Sequence, residues 1–139
     1  MQRTLLALAF TATTTLGCKA KGSPEAVADA FVEAYFVQVD QEKAKEFTAL
    51  GATRMLEDEI REVAQVRKEG YSPTEARGDL SVNRGEPVTR EQRIRYPYQI
   101  KVSADGVETI QEADVELTQI QGGWKVVRVA VVRGERPPP

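Results

Sequence analysis

One thiol and no imidazole bound the chemistry open to this chain: among its 139 residues Cys18 is the single cysteine and histidine is absent. That excludes the commonest zinc sites, the Ser/His/Asp and Cys/His nucleophile arrangements and any disulfide within the chain. The remaining chemistry at Cys18 is that of its own sulfur, and its neighbours set the context. Met1-Gln2-Arg3 is a short positive start, Thr4 to Leu16 is uncharged and mostly apolar, and Leu16-Gly17 leads directly into Cys18. This is the three-part layout of a secretory signal. A helix over Thr4 to Leu16 would be about 20 Å long against about 30 Å of bilayer hydrocarbon, too short to span.

With Cys18 directly after Leu16-Gly17, the segment resembles a bacterial lipoprotein signal, in which cleavage precedes a cysteine whose thiol carries a diacylglyceryl group. The usual box has Leu three residues before the cysteine, whereas here Thr15 holds that place and Leu16 sits one position later. The alternative is a simple secretory signal with an unrelated cysteine. The resemblance implies lipidation at Cys18 and a partner in the membrane, since two or more acyl chains hold a protein stably where one does so marginally. It implies a lipid-anchored place in the cell envelope, on the outer membrane facing the periplasm if the source is Gram-negative.

Removing residues 1–17, Arg3 among them, from the 139 leaves 122 residues and takes the 19 basic groups to 18 against 21 acidic, a net charge of −3. A chain of that size can bury about two thirds of its unfolded surface, enough for a core without disulfides. Its charge supplies no field for gripping nucleic acid. The expected organisation is a signal over 1–17, Cys18 with a short tether to 22, one domain over 23–134 and a Pro-rich tail over 135–139.

The domain divides into a helical half and a strand half. Ser23-Pro24-Glu25 is a strong helix start, with Ser as cap, Pro in the first turn and Glu at the positive dipole end. Val27, Ala30, Phe31, Ala34 and Tyr35 recur at helical spacing up to about Val39. Asp40 caps a second helix with Ala44 and Phe47 inward, which Gly51 ends. A third helix follows from Thr53, with Met55, Leu56, Ile60, Val63 and Ala64 on its buried face, a Glu57–Arg61 pair outside and Gly70 as its stop.

Beyond Pro73 the period switches to two. Ile94, Tyr96, Tyr98, Ile100 and Val102 alternate with polar residues, and Asp105-Gly106 is a two-residue hairpin signal. Setting Ala104 opposite Val107 places Tyr98 across from Ala113, Tyr96 from Val115, Ile94 from Leu117 and Arg95 from Glu116, a favourable cross-strand pair. Pro97 then falls where its missing amide points away from the partner strand. Gly122-Gly123 turns the chain again, through a three-residue loop that pairs Leu117 with Val127, Val115 with Val129 and Ala113 with Val131. A shorter strand around Leu80 and Val82 joins the same sheet. The fold class is α+β, with N-terminal helices packed on a curved antiparallel sheet of about four strands.

Helices followed by a curved antiparallel sheet resemble the nuclear-transport-factor-two-like superfamily, the cone-shaped α+β fold shared with ketosteroid isomerase and the SnoaL-like proteins. The stretch from Ser23-Pro24-Glu25 through Phe31 to Tyr35, followed by Asp40-Gln41-Glu42-Lys43-Ala44, is similar to the start of such domains in secreted bacterial lipoproteins. Gly122-Gly123-Trp124-Lys125-Val126 is similar to the Gly-x-Trp-x-Val pattern of their last hairpin. The resemblance covers about residues 23 to 133 and implies a fold more than a function, because that superfamily hosts enzymes, binders and adaptors.

Three readings of the site follow. An isomerase-like enzyme or small-molecule binder needs a base and an oxyanion stabiliser inside the cone, and ketosteroid isomerase uses an Asp base with a Tyr and a protonated Asp. Tyr35, Tyr96 and Tyr98 are the candidates for the polar end, with Asp79 or Asp114 as base. The simpler reading of the tyrosines is core side chains whose hydroxyls find a neighbour. A binding reading has Ile94, Tyr96, Tyr98, Ile100, Val115 and Val129 lining a cone that a ligand or packed side chains fill. The third reading is a non-catalytic assembly module using the outer sheet face, where Arg95, Glu116 and Arg128 mix with Trp124, Val126, Ala130 and Val132 for a protein partner or a second copy. Arg84, Arg90, Arg93, Arg95 and Lys101 face acidic Glu112, Asp114 and Glu116, so internal neutralisation, and no nucleic acid, is expected. No cofactor, metal or catalytic residue is assigned.

Overall fold

The structure, a computed structural model, describes residues 22–67 and 78–133; Cys18, the signal, Gly70, Pro73 and the tail lie outside them. Ser23 accepts from the Ala26 amide at 3.1 Å and opens α1 (Pro24–Val32), which continues as a π-helical turn over Glu33–Val37. Asp40 accepts from the Lys43 amide at 3.0 Å and opens α2 (Gln41–Lys45). Both caps satisfy amides that a helix start leaves free.

Gly51 does not end the second helix. The Thr48 hydroxyl donates to the Lys45 carbonyl at 2.9 Å and lies 2.8 Å from that of Thr53, so α2 closes early and α3 (Leu50–Arg67) begins with Gly51 in its first turn. Ala52 and Leu56 are buried, Met55, Ile60 and Val63 are half-buried, and Ala64, expected inside, is exposed. Arg61 pairs with Asp58 rather than Glu57.

All strands are antiparallel: β1 (Asp79–Arg84), β2 (Val88–Arg90), β3 (Arg93–Ala104), β4 (Val107–Ile120) and β5 (Gly123–Arg133), in the order β1-β3-β4-β5 with β2 also on β3. The β3–β4 register is the one expected, from Ala104 opposite Val107 to Ile94 opposite Leu117. Asp105 and Gly106 both have positive φ, 52° and 75°, as a tight hairpin turn matched to strand twist requires.

Five strands replace the expected four because the edge beside β3 is broken in two. The Gly85 amide donates to the Pro97 carbonyl at 2.7 Å, but Pro97 has no amide to return the bond, and pairing resumes only at Val88 opposite Arg95. A Cβ on Gly85 would meet Pro97 Cγ at 2.9 Å, so the close approach needs glycine. The second hairpin also differs from expectation. Gln121 and Gly122, at φ 52° and 81°, make a two-residue turn, and Leu117 faces Val126. One residue, Val127, is then extra: a bulge between Glu116 and Leu117 restores Glu116 opposite Arg128 and Val115 opposite Val129. The bulged residue thus sits mid-strand instead of in the loop, and the sheet bends there.

One face of this curved sheet carries the helices, with α1 against β3, β4 and β5 and α3 against β5. Phe31, Val32, Leu56, Tyr96, Ile100, Val115, Leu117 and Val126 form the buried layer between them. Burying each such side chain stabilises the fold by about 1.5–3 kcal/mol.

Candidate functional site

The three candidate tyrosines lie on the inner side of the sheet or under the helices, and two of their hydroxyls are committed. Tyr35 stacks on Phe31 with ring centres 5.5 Å apart and donates to Glu59 Oε1 at 2.7 Å. Tyr98, buried on β3, donates to Asp29 Oδ1 at 2.8 Å, and the other oxygen of Asp29 pairs with Arg84. The Arg84 guanidinium lies 5.7 Å from the centre of the Tyr96 ring. Burial and then the bond to Glu59 push the Tyr35 hydroxyl well above its ordinary value of 10.0; burial and then Asp29 do the same for Tyr98. Burial and then the charge of Glu25 raise Tyr96 as well. Near neutral pH these groups hold their protons, and the Tyr35 and Tyr98 hydroxyls spend their one donor on a hydrogen bond to a carboxylate rather than on a reacting oxygen.

Among the described residues, the inner side chains are packed against one another. Phe31, Leu56, Val115 and Leu117 are 0% exposed, Ile100 1% and Tyr96 2%, so no water-sized space adjoins them. The cone is filled at this level. An open groove does lie at its mouth, lined by Asp29, Glu33, Val82, Arg84 and Tyr98 among others. The two candidate bases are elsewhere: Asp79 is exposed at the start of β1, and Asp114 is on the outer face, paired with Arg95 at 3.4 Å. Asp29 and Glu59, the carboxylates that meet the tyrosines, escape a sequence reading because their partners lie 69 and 24 positions away.

The chain matches no family model and none of the curated proteins with which it was compared. Among solved structures it is similar to a domain assigned to the calcium/calmodulin-dependent protein kinase type II association class, from Thiobacillus denitrificans ATCC 25259. The TM-score is 0.58 at 15% identity, over 82% of this chain and 97% of that one. It is also similar to the protein named "Rd1NTF2_04 with long sheet", with a TM-score of 0.53 at 15% identity over 81% of this chain and 100% of that one. The fold is nuclear-transport-factor-two-like. At this identity the likeness fixes architecture and leaves chemistry to the residues.

In that fold the outer sheet face is the side away from the helices. Arg95, Glu116 and Arg128 are cross-strand neighbours in one row, as expected. The close ion pairs run diagonally, however: Arg93 to Glu116 at 2.6 Å and Arg95 to Asp114 at 3.4 Å, while Lys101 reaches Glu108 at 3.3 Å. Two residues expected on this face are not free there. Val126 is 0% exposed, because the bulge at Val127 puts it on the inner side with Leu117, and Trp124 is half-buried against the core. Arg128, Ala130 and Val132 remain outside, Val132 at 61% exposure. Arg128 and Ala130, with Val88, Arg90, Arg93 and Arg95, border concave ground, a groove of about 240 Å³ that Asp114 and Glu116 also line.

Proposed function

We propose that this protein is a cell-envelope lipoprotein, anchored through acyl chains on Cys18, whose domain is a non-catalytic binding or assembly module working through its outer sheet face. The observation that carries the second half is the division of the two faces. Inside, the cone is filled and the hydroxyls of Tyr35 and Tyr98 are spent on Glu59 and Asp29. Outside, a charged groove edged by exposed Val88 opens to solvent, and exposed Val132 stands farther along β5. Charged surfaces of this kind set partner choice and register through complementary charge. The fold neighbour from Thiobacillus denitrificans is named an association domain, in keeping with assembly.

The anchor rests on the sequence around Leu16-Gly17-Cys18. Among the described residues no helix is long and apolar enough to cross a membrane. Intact mass spectrometry of membrane-extracted protein tests it. The expected species begins at Cys18 and carries diacylglyceryl and acyl mass; an unmodified Cys18, or a chain cut elsewhere, refutes the anchor. Sedimentation of the extracted protein with and without Val132→Asp tests the outer face as an assembly surface. Loss of an assembled species in the variant is the expected result.

A further inference from the structure

The groove on the outer face holds more positive charge than its own carboxylates use. Arg90, Arg93, Arg95 and Arg128 border it against Asp114 and Glu116. Arg93 and Arg95 take those two carboxylates, whereas Arg90 and Arg128 have no partner among the described residues. Guanidiniums gathered round one concavity repel each other, and the field they leave draws anions into it.

Two backbone irregularities produce this gathering. The bulge at Val127 resets β5 by one residue, so that Arg128 falls on the outer side opposite Glu116 instead of following Val126 in unbroken alternation. Bulges of this kind re-aim side chains beside binding sites. On the other edge, the break at Pro97 lets β2 restart with Val88 opposite Arg95, which places Arg90 next to Arg93. Strands lie about 4.8 Å apart and rise about 3.4 Å per residue, so Arg90 and Arg128, on the first and last of four neighbouring strands and two residues out of step, stand roughly 16 Å apart. Two long guanidinium side chains can close that distance around one small group.

We infer that this groove is a binding site for a small dianion, a phosphate ester or a dicarboxylate, clamped between Arg90 and Arg128 while Asp114 and Glu116 hold Arg95 and Arg93 upright beneath it. Guanidinium forks suit both anions, since each offers paired oxygens to paired N–H donors. The cavity, about 240 Å³, is smaller than the roughly 300–1,000 Å³ that takes drug-sized ligands, so the anion is small. The inference rests on the reading of the outer face as the working surface and names the chemistry it recognises.

Isothermal titration of the full chain with glycerol phosphate, and separately with succinate, at low ionic strength tests it. Saturable binding of either anion is expected, and the one that binds more tightly names the class. Arg90→Ala and Arg128→Ala should each weaken it about tenfold, the worth of one charge-assisted hydrogen bond. Arg54→Ala, on exposed α3 surface, should leave it unchanged. Added salt should weaken it, as it screens exposed charges. No saturable binding of either anion, or binding that the Arg90→Ala, Arg128→Ala double variant retains, overturns the inference. A lipidated, assembling chain that ignores both anions would lose this site alone; an unlipidated monomer that binds them would lose the proposed function and keep the site.

Discussion

The Tyr98 hydroxyl and the Asp29 carboxylate meet at 2.8 Å across 69 positions of sequence, and Arg84 closes the group from β1. Three elements are thereby tied at the mouth of the cone: α1 through Asp29, β3 through Tyr98 and β1 through Arg84. Tyr98→Phe keeps the ring and removes the bond. It should cost about 1.5–3 kcal/mol, the value of a hydrogen bond to a charged group, read as a lower urea midpoint at unchanged slope.

The same bond makes stability fall in alkali. The folded-state pKa values of Tyr35 and Tyr98 lie above the ordinary 10.0. Their contribution is therefore fully present below about pH 10 and declines as pH rises beyond it, because the unfolded chain releases protons that the folded one retains. Urea midpoints measured from about pH 8 to about pH 11 should drop at the upper end. A Tyr35→Phe, Tyr98→Phe double variant should show a flatter decline.

Val126 and Val132 have the same side chain and opposite consequences. Val126→Ala empties part of the core and should cost about 2 kcal/mol, whereas Val132→Asp should change stability by less than about 0.5 kcal/mol. Thermal unfolding of the two variants separates them. Equal effects would contradict the bulge that divides their faces.

Val39 sits at φ 53°, a left-handed conformation that a β-branched residue adopts at a cost. Its carbonyl accepts from Arg67 at 2.7 Å, a backbone bond that substitution preserves. Val39→Gly should raise stability by about 1 kcal/mol, seen as a higher melting temperature.

A double-mutant cycle distinguishes the diagonal pairs from the direct ones. Arg93 with Glu116 should couple by up to about 1 kcal/mol, and Arg95 with Glu116, although directly opposite, by less. The result would follow side-chain reach rather than backbone register.

Much of the architecture was legible because its signals are local. Ser23 and Asp40 announce helix starts, and Asp105-Gly106 together with the alternation from Ile94 to Val102 specifies one register. The second hairpin was harder: Gln121 at φ 52° carries no glycine signature, and a bulge in a run of valines leaves no mark in the pattern. Gly51 carries a stop signal in the sequence, but Thr48 decides that junction through a bridge to a strand more than 70 residues on. The tyrosines were legible as core residues, while Asp29, Glu59 and Arg84 gain their meaning only from distant partners.

That bridge at Thr48 has a bearing on how the molecule meets others of its kind. Beside it, Val126 donates to the Phe47 carbonyl and accepts from the Ala49 amide, each at 2.9 Å, so the rim of β5 at this point is already hydrogen-bonded. Sheet rims with idle amides and carbonyls invite strand addition and, in the extreme, fibrils. Here a few residues between two helices act as a hem on the fabric. An incoming strand finds that part of the rim stitched shut.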